Sequence, residues 1–569
     1  MKSVLKFVKP YLWLVVICLF FKTSAAFAEL AIPALLARII DEAVPADDMK
    51  MVMVWGGLMI LLAVAMFLLN ILGNRYAAIA SGKASRDLRH ALFVKISYLD
   101  AEATDALTLS SLTSRMTSDT YVLTSFFARL QRMGVKAPLI LIGGIIITLF
   151  IDWRLALVLI SVMPFVCLTV YLVSAKSVPI YAEEQTILDD IVKQIDETSS
   201  GIRVIKALSK TEHEKKKFKT VSERLMGREM SAGKIMSLTK PITDLLLNIG
   251  LVCVILLGAL LARYYGFSAT GKLLAFMTYF TIILNNMIAM TRIFIQMSRS
   301  VASAERIEEV LLCESHLGVG PGEKDEALPY ITFENVSFSY LKRHNNLENI
   351  SFSLEKGQTL GIIGATGSGK STLVALLLRL YDVDSGRVTI GGRDIKSIPP
   401  EELHSMFGVA FQNDFVPAGT IDENVKFFRH LSDQTVDDAL TAAQASFVFE
   451  EGKDRQITTR GTNLSGGQKQ RMIVARALAG DPEIVILDDA SSALDYRTDA
   501  NLRHALHERR GKTTVIVSQR IASVRNSDVI LVLDKGQLIG KGTHDQLMQN
   551  CPVYGKIAEV QFGGKGEKR

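Results

Sequence analysis

The chain has 569 residues, room for more than one folding unit at about 150 residues per domain. It is 49% apolar and only 21% charged, and its long apolar runs all precede about residue 295, so the apolar excess belongs to a membrane segment rather than to one large soluble core. A net charge of +6 without a basic stripe interleaved with aromatics argues against nucleic acid, and the scattered Cys18, Cys167, Cys253, Cys313 and Cys551 form no C-x-x-C pair that would signal zinc or dithiol chemistry.

Lys2, Lys6 and Lys9 precede the first apolar run, and Ala26-Phe27-Ala28 imitates a signal-peptidase site. The run stays mostly apolar to Ile40, too long for a signal h-region, so it reads as a retained span. Six stretches have about the length of a membrane helix: Tyr11–Leu36, Met51–Leu72, Ala137–Ile151, Leu155–Val173, Ile242–Ala262 and Leu273–Phe294. The third extends back toward Phe126, and the fourth carries Pro164, which a membrane helix tolerates with a kink.

The connections at Asp41–Lys50, Asp152–Arg154 and Arg263–Lys272 are short, whereas Arg75–Lys136 and Ser174–Pro241 are long and rich in Lys and Arg. The positive-inside rule puts both long loops and both termini in the cytosol. Their helical periodicity makes them extensions of the membrane helices, and Lys215–Lys217 a solvated helix face. Polar residues in the spans include Glu29, Asn70, Asp244, Asn248, Asn285 and Asn286. Glu29 either lines a path for a cationic substrate, sits near the outer interface or pairs with a neighbouring helix; Asp244 reads as interfacial. The Asn285-Asn286 pair is a pathway patch or interhelical glue.

Glu314–Pro329, with GVGPGEKDEALP, is a linker. It separates a membrane domain (1–312, linker 313–330) from a soluble α/β domain (331–569). In the latter, Ile331–Tyr340 alternates as a strand, and Tyr340 either stacks on a base or is an edge-strand aromatic before the basic turn Lys342-Arg343. Thr359–Ile363 is a buried strand, Gly364–Thr372 reads GATGSGKST, and Leu373–Leu380 is a helix. Strand, glycine loop and helix are the setting of the P-loop pattern, met by Gly364, Gly369, Lys370 and Ser371. Backbone N–H groups and the helix N-terminus would cradle nucleotide phosphates, Lys370 would reach the β/γ-phosphates, and Ser371 would hold Mg²⁺. Glu483–Leu487 followed by Asp488-Asp489 is an apolar strand ending in carboxylates, the Walker B arrangement.

Leu464-Ser465-Gly466-Gly467-Gln468, before the helix-like KQRMIVARAL, carries a specific resemblance. LSGGQ is the signature of ATP-binding-cassette proteins, and nearly the whole chain resembles an ABC exporter half-transporter: six membrane helices fused to one nucleotide-binding domain. The resemblance implies ATP with Mg²⁺, bound by Tyr340 at the adenine, by Gly364, Thr366, Gly367, Ser368, Gly369, Lys370, Ser371 and Thr372 at the phosphates, and by Ser371, Gln412 and Asp488 at the metal. Gln412 fits the Q-loop, Ser492-Ala493-Leu494-Asp495 the D-loop, and Gly201–Leu208 a coupling element. It also implies a second half-transporter, because Ser465, Gly466, Gly467 and Gln468 complete a partner's ATP site in trans.

The chain departs from the family pattern at Asp489, where Glu usually polarises the attacking water, and at Gln519 in Val517-Ser518-Gln519-Arg520, where His usually touches the γ-phosphate. Asp is one methylene shorter, retracting the carboxylate by roughly 1.5 Å, a misplacement that can cost about 100-fold in rate. Gln519 can hydrogen-bond but cannot become cationic. Thr459 stands where a Glu is commoner. The chain therefore resembles the degenerate-site subunit of a heterodimeric bacterial exporter, with a homodimer of two slow sites as the alternative. The resemblance implies export of hydrophobic or amphipathic compounds across the cell membrane; a lipid or peptide cargo, and an ATP-gated channel or regulatory ATPase, are the alternatives.

Overall fold

The computed structural model describes residues 2–265, 270–314, 317–340, 342, 345–412, 414–509 and 511–562. Residues 266–269 of the third short connection, 315–316 of the linker, Arg343 of the basic turn and Asn413 beside Gln412 lie outside them. The chain divides into two compact units, Met1–Ser97 with Leu109–Cys313, and Tyr98–Thr108 with Glu314–Arg569.

The first unit is helical. Its long helices are Leu12–Arg38, Met49–Ser97, Trp153–Ser200, Thr211–Ser237, Thr239–Tyr265 and Thr270–Leu312. At about 1.5 Å per residue, the 49 residues of Met49–Ser97 reach about 70 Å, more than twice the hydrocarbon thickness of a bilayer. The same holds for the 48 residues of Trp153–Ser200, which runs through Pro164 and Pro179 unbroken. The third span does continue backward, but as two helices, Thr120–Met133 and Lys136–Ile151, joined at Gly134 and Val135. Among the described residues five segments are long and apolar enough to cross a membrane: Lys9–Ala43, Met49–Ser97, Leu109–Ile151, Trp153–Ser177 and Thr211–Leu261. The sixth expected span lies in Thr270–Leu312, whose Phe276, Tyr279, Phe280 and Ile283 are fully buried against Leu30, Ile140, Leu155 and Val254.

Several polar residues of this unit pair with neighbours. Lys136 Nζ lies 2.7 Å from Glu29 Oε2, so Glu29 joins the first span to the third; of the roles open to it, interhelical pairing is the one the packing provides. Lys240 pairs with Asp244 at 2.9 Å on an exposed face. Asn286 Nδ2 donates to Ile282 O of its own helix at 2.9 Å rather than to another helix. The sequence reading overlooked Lys22: it is only 4% exposed, and its Nζ donates to Asn70 Oδ1 at 3.0 Å.

The second unit is built on two main sheets, with a two-stranded one at Gly419–Thr420 and Gln456–Ile457. The larger has the order Gln537–Gly542, Val529–Asp534, Thr359–Gly364, Thr513–Ser518, Ile484–Asp488, Phe407–Ala410. All neighbouring pairs are parallel except the first. Thr359–Gly364 is near-continuously buried, as a strand covered on both faces must be, which is why it reads as an apolar run. The smaller, antiparallel sheet pairs Ile331–Phe338 with Leu347–Leu354 and with Ser385–Ile390. The short helix Ala101–Leu107 packs with this unit, and Tyr381 donates its hydroxyl to Asp105 there at 2.6 Å.

Candidate functional site

In a parallel sheet ligands bind beyond the carboxyl ends of the strands. Register brings three such ends together here. Val517 pairs with both Ile362 and Asp488, so Gly364, Asp488 and Gln519 leave the sheet side by side. Asp488 and Gln519 border a cleft of about 510 Å³. It is lined by Thr366, Gly367, Gly369, Lys370, Ser371 and Thr372 of the glycine loop and the helix after it. Asp488, Asp489, Gln412 and Gln519 line it from the neighbouring strands.

The helix after the loop is Lys370–Leu377, three residues earlier than its apolar pattern suggests. Its N-cap is Gly369 with φ +101°, a left-handed geometry that L side chains rarely adopt. Lys370 and Ser371 therefore sit in the first turn. A Cβ on Gly364 would lie 2.2 Å from Leu533 O, so that glycine lets the loop pack on the adjoining strand and does not itself line the cleft. Ser368 likewise is buried under the loop, its carbonyl accepting from Gly536 N–H at 3.2 Å.

The charges in the cleft balance each other. Lys370 Nζ folds over its own loop, donating to Gly364 O at 2.9 Å and Ala365 O at 2.8 Å. Burial lowers its pKa, while the nearby Asp489 and Asp488 work to raise it. Burial raises the pKa of Asp488, with a donated hydrogen bond from Ser371 and the charge of Lys370 opposing. Asp489 is held at φ +50° with its N–H on Val517 O at 2.9 Å. Gln412 Nε2 lies 3.4 Å from Asp489 Oδ2. Among the described residues no group of three or more His, Cys, Asp or Glu could hold a metal alone. Ser371, Gln412 and Asp488 are instead a small set of oxygen donors of the kind Mg²⁺ accepts when phosphates and water complete its octahedron.

Beyond Gly364 and Ser368, two more groups of expected residues are not in the cleft. Tyr340 stands beside it: its ring meets Tyr381 edge-on at 5.0 Å, and its hydroxyl reaches Thr372 Oγ1 at 3.4 Å. The signature residues begin the helix Gly466–Leu478 on a separate, exposed surface. Ser465 Oγ accepts from Gln468 N–H at 3.2 Å, and Gln468 Oε1 accepts from Ser465 N–H at 3.0 Å. This reciprocal cap explains why Ser and Gln stand three apart, and leaves Gly466 exposed. Gln470 links this helix to Ser492 Oγ at 2.9 Å and to Ala493 N–H at 2.8 Å.

The sequence reading missed Asn345, Asn346, Lys535 and Gly536, which also line the cleft. Lys535-Gly536 is the turn between the strands Val529–Asp534 and Gln537–Gly542, and Glu348 N–H donates to Gly536 O at 2.9 Å. The only local trace of this is a Lys-Gly turn after an apolar strand, which carries no phosphate motif.

A P-loop ATPase domain joined to a unit of membrane-length helices is the build of a fused, nucleotide-driven membrane transporter. The chain belongs to the ABC transporter family. The family described as ABC transporter transmembrane region matches residues 15–287, and the one described as ABC transporter matches residues 347–492. An uncharacterized ABC transporter ATP-binding protein of Bacillus subtilis is 35% identical over the full length of both chains. A Mycobacterium tuberculosis protein of the same description is 32% identical over 97% of each. Among solved structures, a bacterial Atm1-family ABC exporter with ATP bound superposes with a TM-score of 0.82 over 98% of this chain and 99% of its own, at 20% identity. The chain thus has the fold of that exporter: an N-terminal helical transmembrane domain followed by an ABC nucleotide-binding domain.

Proposed function

We propose that the chain is one half of a heterodimeric exporter in the cell membrane, with its N-terminus and nucleotide-binding domain in the cytosol, and that it contributes the slower of two ATP sites. Its P-loop cleft holds ATP, with Lys370 at the phosphates and Tyr340 at the adenine. Ser371, Gln412 and Asp488 hold Mg²⁺, which when bound neutralises the phosphate oxygens. The observation that carries the reading is the separation of the signature from its own cleft: Ser465 and Gly466 are exposed and absent from the cleft lining. The cleft wants a second wall, and the capped helix end with its free N–H groups is such a wall for another cleft.

The slow site rests on Asp489 and Gln519. Both face the cleft, so the shorter carboxylate and the uncharged amide act where water activation and terminal-phosphate contact are needed. ATP binding closes the pair of nucleotide domains, and its tighter binding to the closed state drives the membrane helices outward. Hydrolysis, mainly at the partner's site, resets them. Cargo is a hydrophobic or amphipathic compound, because the spans are largely apolar and the charges Lys22 and Glu29 already have partners.

The test is vectorial transport by proteoliposomes containing this chain and its companion. ATP-dependent accumulation against a gradient supports the reading. ATP-dependent leak without accumulation would instead assign a gated channel.

A further inference from the structure

The loop that carries Gln519 is held from behind by the C-terminal helix. Strand Thr513–Ser518 ends immediately before Gln519, and the short helix Ile521–Val524 begins two residues later. Gln561 Nε2 donates to Gln519 O at 2.7 Å, and Gln561 Oε1 accepts from Ile521 N–H at 2.8 Å. One side-chain amide thereby pairs the main-chain groups on both sides of Arg520, as an added strand would. A side-chain amide supplies a donor and an acceptor side by side at fixed spacing, whereas a carboxylate only accepts and an ammonium only donates.

The placement of Gln561 follows from the packing of its helix, Pro552–Phe562. Tyr554 and Ala558 are buried in one cluster with Ile363, Ile516 and Ile521, behind the P-loop strand and the strand leading to Gln519. Tyr554, Ala558 and Gln561 are spaced i, i+4, i+7, one face of a helix, so the contacts that seat the helix also aim Gln561 at the loop. His544 Nδ1 lies 2.7 Å from Tyr554 Oη, fixing the helix to the one before it. On the opposite side Arg520 reaches the D-loop, donating to Ser492 O at 3.0 Å and Leu494 O at 3.4 Å. The backbone of 519–521 is thus braced on two sides while Gln519 lines the cleft.

We infer that Gln561 is a positioning residue for Gln519: it fixes the backbone from which Gln519 meets the terminal phosphate, and so makes the C-terminal helix part of the ATP site. This rests on the proposal that Gln519 faces the terminal phosphate. ATP and ADP differ by that phosphate, so the discrimination between them isolates the contact.

The experiment measures equilibrium binding of Mg-ATP and Mg-ADP, by calorimetry, to the full-length chain in lipid nanodiscs. The variants are Gln561→Ala, Gln561→Met, Gln519→Ala and Gln519→Ala with Gln561→Ala. Met keeps the length and bulk of Gln without its polar groups, and Val560→Ala, at an 84% exposed position of the same helix, is the control. Loss of a single well-placed hydrogen bond corresponds to about 3- to 10-fold in affinity. Both Gln561 variants should weaken ATP by about that factor and leave ADP within about two-fold. The double variant should be no worse than Gln519→Ala, since the two act on one contact. If Gln519→Ala lowers the ATP preference while both Gln561 variants keep it, the positioning role is overturned and the reading of Gln519 stands. If Gln519→Ala itself leaves the preference intact, that reading falls and this inference with it. Equal weakening of ATP and ADP by the Gln561 variants would mean general support of the fold and would also overturn the inference.

Discussion

The amide of Gln412 and the carboxylate of Asp489 face each other in the nucleotide cleft, with Nε2 3.4 Å from Oδ2. They follow neighbouring parallel strands, Phe407–Ala410 and Ile484–Asp488, so this contact joins two loops that the sheet holds in fixed register. Under the proposed function, the residue that would activate water is the same one that touches the Gln412 amide.

If Ser465 serves a partner's cleft, Ser465→Arg should stop turnover of the assembled complex while this chain's own P-loop still takes up ATP. The bulky cation fills the space where a phosphate should meet helix N–H groups. Photolabelling of each subunit with an azido-ATP, run beside the hydrolysis assay, checks this. Loss of labelling on this chain alone would contradict it.

Asp488 should make the stability of the nucleotide-free domain depend on pH. Burial raises its folded pKa above the unfolded value. A carboxyl group shifted that way destabilises the fold once both states are ionised, and its penalty vanishes below the unfolded pKa, near 4 for an ordinary Asp. Asp488→Asn should raise the melting temperature without nucleotide at pH 7, and the gain should shrink as the pH falls toward about 4. With Mg-ATP the order should reverse if, as proposed, the carboxylate holds the metal.

Tyr381 links the short helix Ala101–Leu107 to the aromatic pair that borders the nucleotide loop. Its hydroxyl bonds Asp105 at 2.6 Å, and its ring meets Tyr340. Tyr381→Phe should cost about 1 kcal/mol of stability in the nucleotide-binding unit. It should lower the stimulation of ATP hydrolysis by transported compound while leaving ATP affinity nearly unchanged. Melting curves and stimulated-to-basal ATPase ratios read the two effects separately.

The Glu29–Lys136 pair should behave as a unit. Glu29→Gln or Lys136→Met alone removes one partner of a half-buried pair and should destabilise by about 1–2 kcal/mol. The double variant should lie closer to wild type than either single one. Thermal stability of the detergent-purified protein in a double-mutant cycle checks this.

Much of this architecture was legible in the sequence because its signals are local. Strand, glycine loop and helix are contiguous over Thr359–Leu377, and the signature residues sit within one helix turn of their cap. The helical extension of the spans beyond membrane length was legible from periodicity, as in Met49–Ser97 and Trp153–Ser200. Long-range pairing hid the rest. Lys535 and Gly536 reach the cleft because Leu533 pairs with Gly364 across the sheet. Lys22 was masked by its apolar neighbours, and its partner Asn70 is 48 residues away. The start of the P-loop helix at Lys370 depends on the left-handed backbone of Gly369, which no hydrophobic pattern records. The association of residues 98–108 with the nucleotide-binding unit is likewise a tertiary fact.

The most direct test restores the two departures, with Asp489→Glu and Gln519→His, in a complex whose partner site has been disabled at its P-loop lysine, and compares ATP hydrolysis with that of the unaltered chain in the same complex. The account predicts near-background hydrolysis from the unaltered chain and a rise of about 100-fold on restoration. Brisk hydrolysis by the unaltered chain, with no gain from the two substitutions, would contradict it.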